Sequence, residues 1–105
     1  MRNKYGAKKV KAPDGQVFDS QKEYHRWCEL RLLERCGKIS DLKRQVSYEL
    51  IPKQAGERAC KYVADFVYCK DGKLVVEDCK GCRTDAYKIK RKLMLWVHNI
   101  RIKET

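Results

Sequence analysis

The dipeptide Asp71-Gly72, set between the apolar runs KYVADFVYC (61–69) and KLVVEDCK (73–80), constrains this chain more than any other feature. Asp-Gly between such runs specifies a two-residue β-hairpin, because both central residues of a type I′ turn need positive φ. Counting outward from the turn, Lys70 faces Lys73, Cys69 faces Leu74, Tyr68 faces Val75, Val67 faces Val76 and Phe66 faces Glu77. One step further Asp65 faces Asp78, a non-hydrogen-bonded pair with Cα atoms roughly 4.5 Å apart. Faces alternate along a strand, so Asp65, Asp78 and Lys80 are expected on one side, shared with Val63, Val67, Leu74 and Val76. Two carboxylates about 5 Å apart repel by roughly 3 kcal/mol at an effective dielectric of about 20. A shared proton or the Lys80 ammonium relieves this, and a divalent cation relieves it best, with hard oxygen ligands suiting Mg²⁺ or Mn²⁺. The bland reading is a frayed hairpin edge with Lys80 as a surface counter-ion, and the apolar neighbours on that face argue against it.

The rest of the chain supplies elements around the hairpin. Pro13-Asp14-Gly15 marks a turn between two short apolar patches. A helix is expected over about residues 20–36, opened by Ser20 and closed by Gly37, with Tyr24, Trp27, Cys28 and Leu32 in one apolar stripe that Leu30 and Leu33 widen. QVSYELI (45–51) alternates and stops at Pro52, as a strand does. Thr84 or Asp85 caps a second helix to about residue 97, and NIRIK (99–103) forms a last short strand. The order is α-β-β-β-α-β, and its β-α-β end implies a right-handed crossover and a parallel last strand in a mixed sheet. The expected fold class is therefore α/β (α+β), as one domain over residues 1–105 with a basic arm over about residues 1–16.

Composition narrows the partner. With 25 Lys/Arg against 14 Asp/Glu in 105 residues, the formal charge is +11, a field suited to a polyanion and most often to nucleic acid. No long apolar run suggests a membrane partner, and no signal-peptide core follows Met1. Six cysteines without such a signal read as reduced thiols in a cytosol.

Asp65, a hairpin and then Asp78-Cys79-Lys80 on this element order resemble the PD-(D/E)XK nuclease core, whose fold is restriction-endonuclease-like. From about residue 17 to residue 103 the chain is similar in particular to small phage and prophage endonucleases related to Holliday-junction resolvases. FDSQKEYHRW (18–27) resembles their helix-one signature, which carries a metal-binding Glu, here Glu23. From the residues alone Glu23 is the N3 member of a capping box with Ser20, and the two roles are compatible. One departure is Ala64, where the motif has a proline.

The resemblance implies metal-assisted DNA phosphodiester hydrolysis. Asp65 and Asp78, with Glu23 directly or through water, would hold one or two Mg²⁺ or Mn²⁺ ions, the Cys79 carbonyl adding a ligand, while Lys80 orients water and stabilises charge. Gln45 is an accessory candidate by the same resemblance, and a bacterial host cytoplasm is the expected location. Arg83, Lys88, Arg91 and Lys92 are placed to line the approach of DNA, with Lys8, Lys9 and Lys11 reaching across its backbone. A solvated helix face explains any one of these equally well. His25 is a weaker phosphate contact, Trp96 is expected in the core, and His98 on the surface. Glu77, on the opposite face, is expected to pair with lysines. One site on a short chain does not easily cut both strands of a junction, which makes a homodimer a reasonable hypothesis.

Two rival readings remain. A zinc module would use Cys79 and Cys82 with Cys60 and Cys69, but only one close pair exists and the register scatters the ligands. A non-catalytic DNA-binding protein on a nuclease-like fold is the other, against which stand the intact Asp65, Asp78 and Lys80.

Overall fold

A computed structural model describes residues 8–79 and 84–105. In chain order the elements are β1 (Val10–Lys11), β2 (Val17–Phe18), α1 (Gln21–Arg35), β3 (Ser40–Ile51), β4 (Cys60–Lys70), β5 (Lys73–Asp78), α2 (Asp85–His98) and β6 (Lys103–Glu104). The fold is mixed α+β: a two-stranded hairpin precedes a four-stranded sheet in the order β3-β4-β5-β6. Strands β3, β4 and β5 run antiparallel, and β6 joins β5 in parallel, as a strand returning from α2 requires. No helix among the described residues is long and apolar enough to cross a membrane.

Asp71 and Gly72 have φ of 52° and 76°, the positive pair that a type I′ turn demands. The resulting register pairs Lys70 with Lys73 and runs to Phe66 with Glu77, as the spacing predicts. It stops there. On its other edge β5 pairs Glu77 with Lys103 and Asp78 with Glu104 of β6.

Helix α1 begins where Ser20 Oγ accepts the Glu23 N–H at 3.1 Å. It ends in a Schellman motif, with Gly37 N–H on the Glu34 carbonyl and Lys38 N–H on the Leu33 carbonyl, and Gly37 supplies the positive φ of 77°. Its inward face differs from the expected apolar stripe. Cys28 and Leu32 are exposed, whereas Glu23 and Leu30 are buried with Arg26 and Trp27 beside them. Glu23, Arg26 and Leu30 stand three and four residues apart, so the face turned to the sheet carries charge.

Two cores lie on opposite faces of the sheet. On one, Leu30 and Trp27 of α1 pack with Phe66, Tyr68, Cys79 and Val75. On the other, Tyr87 and Met94 of α2 pack with Tyr62, Ala64, Val67, Val76 and Leu50. Ala64 and Phe66, two residues apart, therefore serve opposite cores, which simple alternation forbids. β3 makes the same exchange between Leu42 and Val46. At the crossing the ladder runs from Arg44–Phe66 to Val46–Ala64, and Gln45 has a φ of 56°. Asp65 sits at this change of face. That is why Val63, expected beside Val67, is 44% exposed while Val67 is buried. Leu74 is also exposed, because the hairpin end projects past the helices.

Candidate active site

The change of face places Asp65 between the sheet and α1. It is 3% exposed, and its Oδ2 accepts the Cys79 N–H at 2.7 Å, tying β4 to the end of β5. Asp78, fully buried, ends β5 and accepts the Tyr62 hydroxyl at 2.8 Å on Oδ2, while its carbonyl accepts the Thr105 N–H. Burial and then the Asp78 charge push the Tyr62 phenol far up, with Asp65 adding to the effect, so this hydroxyl remains a donor. Asp65 thus reaches the end of β5 through the Cys79 N–H, while Asp78 is held by Tyr62.

Glu23 comes from the first turn of α1 and is 4% exposed. Its Oε1 accepts the Asp19 N–H at 3.3 Å, so the returning arm of the cap goes to Asp19 and not to Ser20. Burial first, and then the charge and hydrogen bonding of Asp65, push its carboxyl up to about 7. Glu23 thus holds its proton more tightly than an exposed carboxyl does, because it is buried and because Asp65 lies near it. The capping role and the site role coincide in one side chain. Among the described residues no three His, Cys, Asp or Glu side chains form a group able to hold a metal ion. Glu23 and Asp65 converge, and Asp78 is turned to Tyr62. The donor set still fits a hard cation: the oxygens are buried carboxylates, and their mutual repulsion is what a cation would replace the proton to relieve.

Arg44, Tyr62 and Arg26 are parts of this region that the sequence reading missed. Arg44 Nη2 lies 3.6 Å from Glu23 Oε1, donates to the Val17 carbonyl at 3.1 Å, and its guanidinium rests 3.9 Å from the Phe18 ring centre. Alternation of the kind seen in β3 marks it only as a half-buried strand arginine. Arg26 forks onto Glu77, Nε to Oε1 at 2.9 Å and Nη2 to Oε2 at 2.7 Å, and Tyr68 donates its hydroxyl to the same carboxylate. Burial alone would raise Glu77, yet the hydrogen bonds from Arg26 and Tyr68 leave it below the usual carboxylate range. Its principal partner is therefore an arginine from α1 rather than the expected lysines, because Arg26 shares the inward face of that helix; Lys103 adds charge across the β5–β6 pairing.

The remaining candidates divide. Lys8, Lys9, Lys11, Lys88 and Lys92 are exposed, and so is Gln45, whose backbone bends opposite Asp65. Arg91 is committed to Glu104 at 3.1 Å, an acid that also accepts the Tyr87 hydroxyl. Cys79 is buried among the α1-side core with its thiol pushed up by burial and 3.1 Å from Thr105 Oγ1. Cys60 packs against the other core, so these two supposed zinc ligands lie on opposite faces. Lys80, Cys82 and Arg83 fall outside the described residues, as does the arm before Lys8. Trp96 is 84% exposed, contrary to the core position expected, because Met94 and Tyr87 occupy the buried face of α2. His98 is exposed, as expected, and meets the Glu49 carbonyl at 2.6 Å. His25 is exposed and contacts the Gln21 amide. An open groove is lined by Lys22, His25, Arg26, Glu29, Lys103, Cys79 and Thr105.

Residues 2–103 match the family described as "Protein of unknown function (DUF1064)". No curated protein matches the chain, and no solved structure does.

Proposed function

From the premise that the chain belongs to the DUF1064 family, we propose that it is a Mg²⁺- or Mn²⁺-dependent DNA endonuclease of the PD-(D/E)XK type. One observation carries the reading: three carboxylates, Glu23, Asp65 and Asp78, are all buried, and Asp65 helps push the Glu23 carboxyl up to about 7. Burying acids together is costly, and a site that binds a cation is the economical reason to retain them.

Asp65, Asp78 and Glu23 would hold one or two such ions, with the Cys79 carbonyl beside them. When bound, the metal supplies charge neutralisation at the phosphate and a more acidic water. The chain's own residues do the rest. Glu23 would hold such an ion in its ionised form, so binding would release the proton that burial and Asp65 favour. Arg44 steadies the ionised Glu23 from 3.6 Å, and the Tyr62 hydroxyl holds Asp78 in orientation. Lys80, two residues beyond Asp78 in the chain, is assigned to orient the attacking water and to stabilise negative charge on the phosphate. Lys22 and Lys103 present positive charge along the groove, where a backbone phosphate would approach, and His25 lines it. The Glu77–Arg26 fork locks α1 to β5 and so fixes the distance between Glu23 and Asp65.

A homodimer acting on branched DNA in the cytoplasm follows from the same reading. The test is cleavage of a four-way junction, a flap, linear duplex and single-stranded DNA with Mg²⁺ or Mn²⁺. Cleavage of at least one DNA that EDTA abolishes is expected. Cleavage that persists in EDTA, or none of any substrate with either metal, would refute the proposal.

A further inference from the structure

Helix α2 buries Tyr87 and Met94 and turns a mixed basic and apolar face outward. Lys88, Lys92 and Trp96 stand at i, i+4 and i+8, one row along that face, and all are exposed. Trp96 is 84% exposed and Ile89, seven residues before it, 58%. Lys92 also borders a shallow groove shared with Arg101. An indole left in water beside an exposed isoleucine marks a surface made to be covered.

Charge decides what covers it. A second copy would bring the same lysines against themselves, in a chain already at +11. A strand with unpaired bases offers what the row lacks: flat apolar rings for the indole and phosphates for the lysines. We propose that the outer face of α2 is a platform for single-stranded DNA, with Trp96 stacking on an unpaired base and Lys88 and Lys92 taking phosphates. The inference rests on the nuclease reading for its partner class and deepens it, since it makes the substrate a DNA with unpaired bases.

The experiment is an equilibrium titration in EDTA, so that cleavage plays no part. Trp27→Phe leaves Trp96 as the single indole, and its fluorescence is followed while an oligothymidylate or a duplex of equal length is added. Saturable quenching by the single strand is expected. Trp96→Ala should weaken binding about ten-fold, Trp96→Phe should keep most of it, and removing both lysines should lower the salt slope by about 1.4. An oligonucleotide that binds by anisotropy without quenching, or a Trp96→Ala affinity equal to wild type, overturns the inference. So does a wild-type dimer that Trp96→Ala splits with unchanged DNA affinity, which would assign the face to a second copy. Duplex cleavage without single-strand quenching would sink this inference alone, and quenching without any metal-dependent cleavage would sink the nuclease reading alone.

Discussion

Replacing Glu23 with Gln should remove a pH dependence that the wild-type protein carries only while metal-free. The Glu23 carboxyl is lifted from 4.5 to about 7 by burial and by Asp65, so the folded chain binds this proton more tightly than the unfolded chain does. The stability it contributes is fully present below pH 4.5 and is lost as pH rises towards 7. At about 1.4 kcal/mol for each tenfold change in proton affinity, the loss amounts to roughly 3 kcal/mol. For a domain worth about 5–15 kcal/mol that is a large fraction. With a urea slope of about 1–3 kcal/mol per molar, the midpoint in EDTA should fall by roughly 1–3 M between pH 4.5 and pH 8 relative to Glu23→Gln. Mg²⁺ or Mn²⁺ at pH 8 should restore the wild type and leave the variant unchanged. Parallel midpoint-against-pH curves for the two proteins in EDTA would refute the reasoning, since the proton would then not be held at Glu23.

Arg26→Met strands a fully buried Glu77 carboxylate and should cost about 3–5 kcal/mol, read calorimetrically as a fall in Tm of more than about 10 °C. A loss below about 1 kcal/mol would mean that the fork behaves as a surface pair. The same carboxylate lies below its ordinary range, so its stabilisation is present above pH 4.5 and disappears as pH falls below that value. Tyr62→Phe deletes a 2.8 Å bond to buried Asp78 and should destabilise by about 1.5–3 kcal/mol in urea titration, an unchanged midpoint being the contrary result.

The hairpin was legible because its cause is local: Asp71 and Gly72 fix both the turn and the rungs counted from it. The parallel β6 followed from connectivity, since α2 intervenes between the two strands. The change of face at Gln45 and Asp65 was not legible, because Gln45 takes a positive φ without being glycine and nothing in its neighbours announces it. Alternation carried across that point puts Val63 inside beside Val67, whereas it is 44% exposed. Asp65 and Asp78 are buried, as an edge that is not frayed requires, although Val63 and Leu74 among the neighbours that argued for it are exposed. Glu23 read as a cap because capping is local, whereas its contact with Asp65 spans the fold. Nothing local marks Arg26 or Arg44, because their partners Glu77 and Glu23 lie far away in sequence. Trp96 misled through residue type alone: the helical period already lets Tyr87 and Met94 fill the inward face without it.

The central claim is that Asp65 and Asp78 serve a metal-dependent cut in DNA. Nicking of supercoiled plasmid by wild type, Asp65→Asn and Asp78→Asn, each shown to be folded and to bind DNA, tests it most directly. Mg²⁺-dependent nicking by the wild type alone, with binding retained in both variants, is the predicted result. Nicking by either variant at the wild-type rate would contradict it.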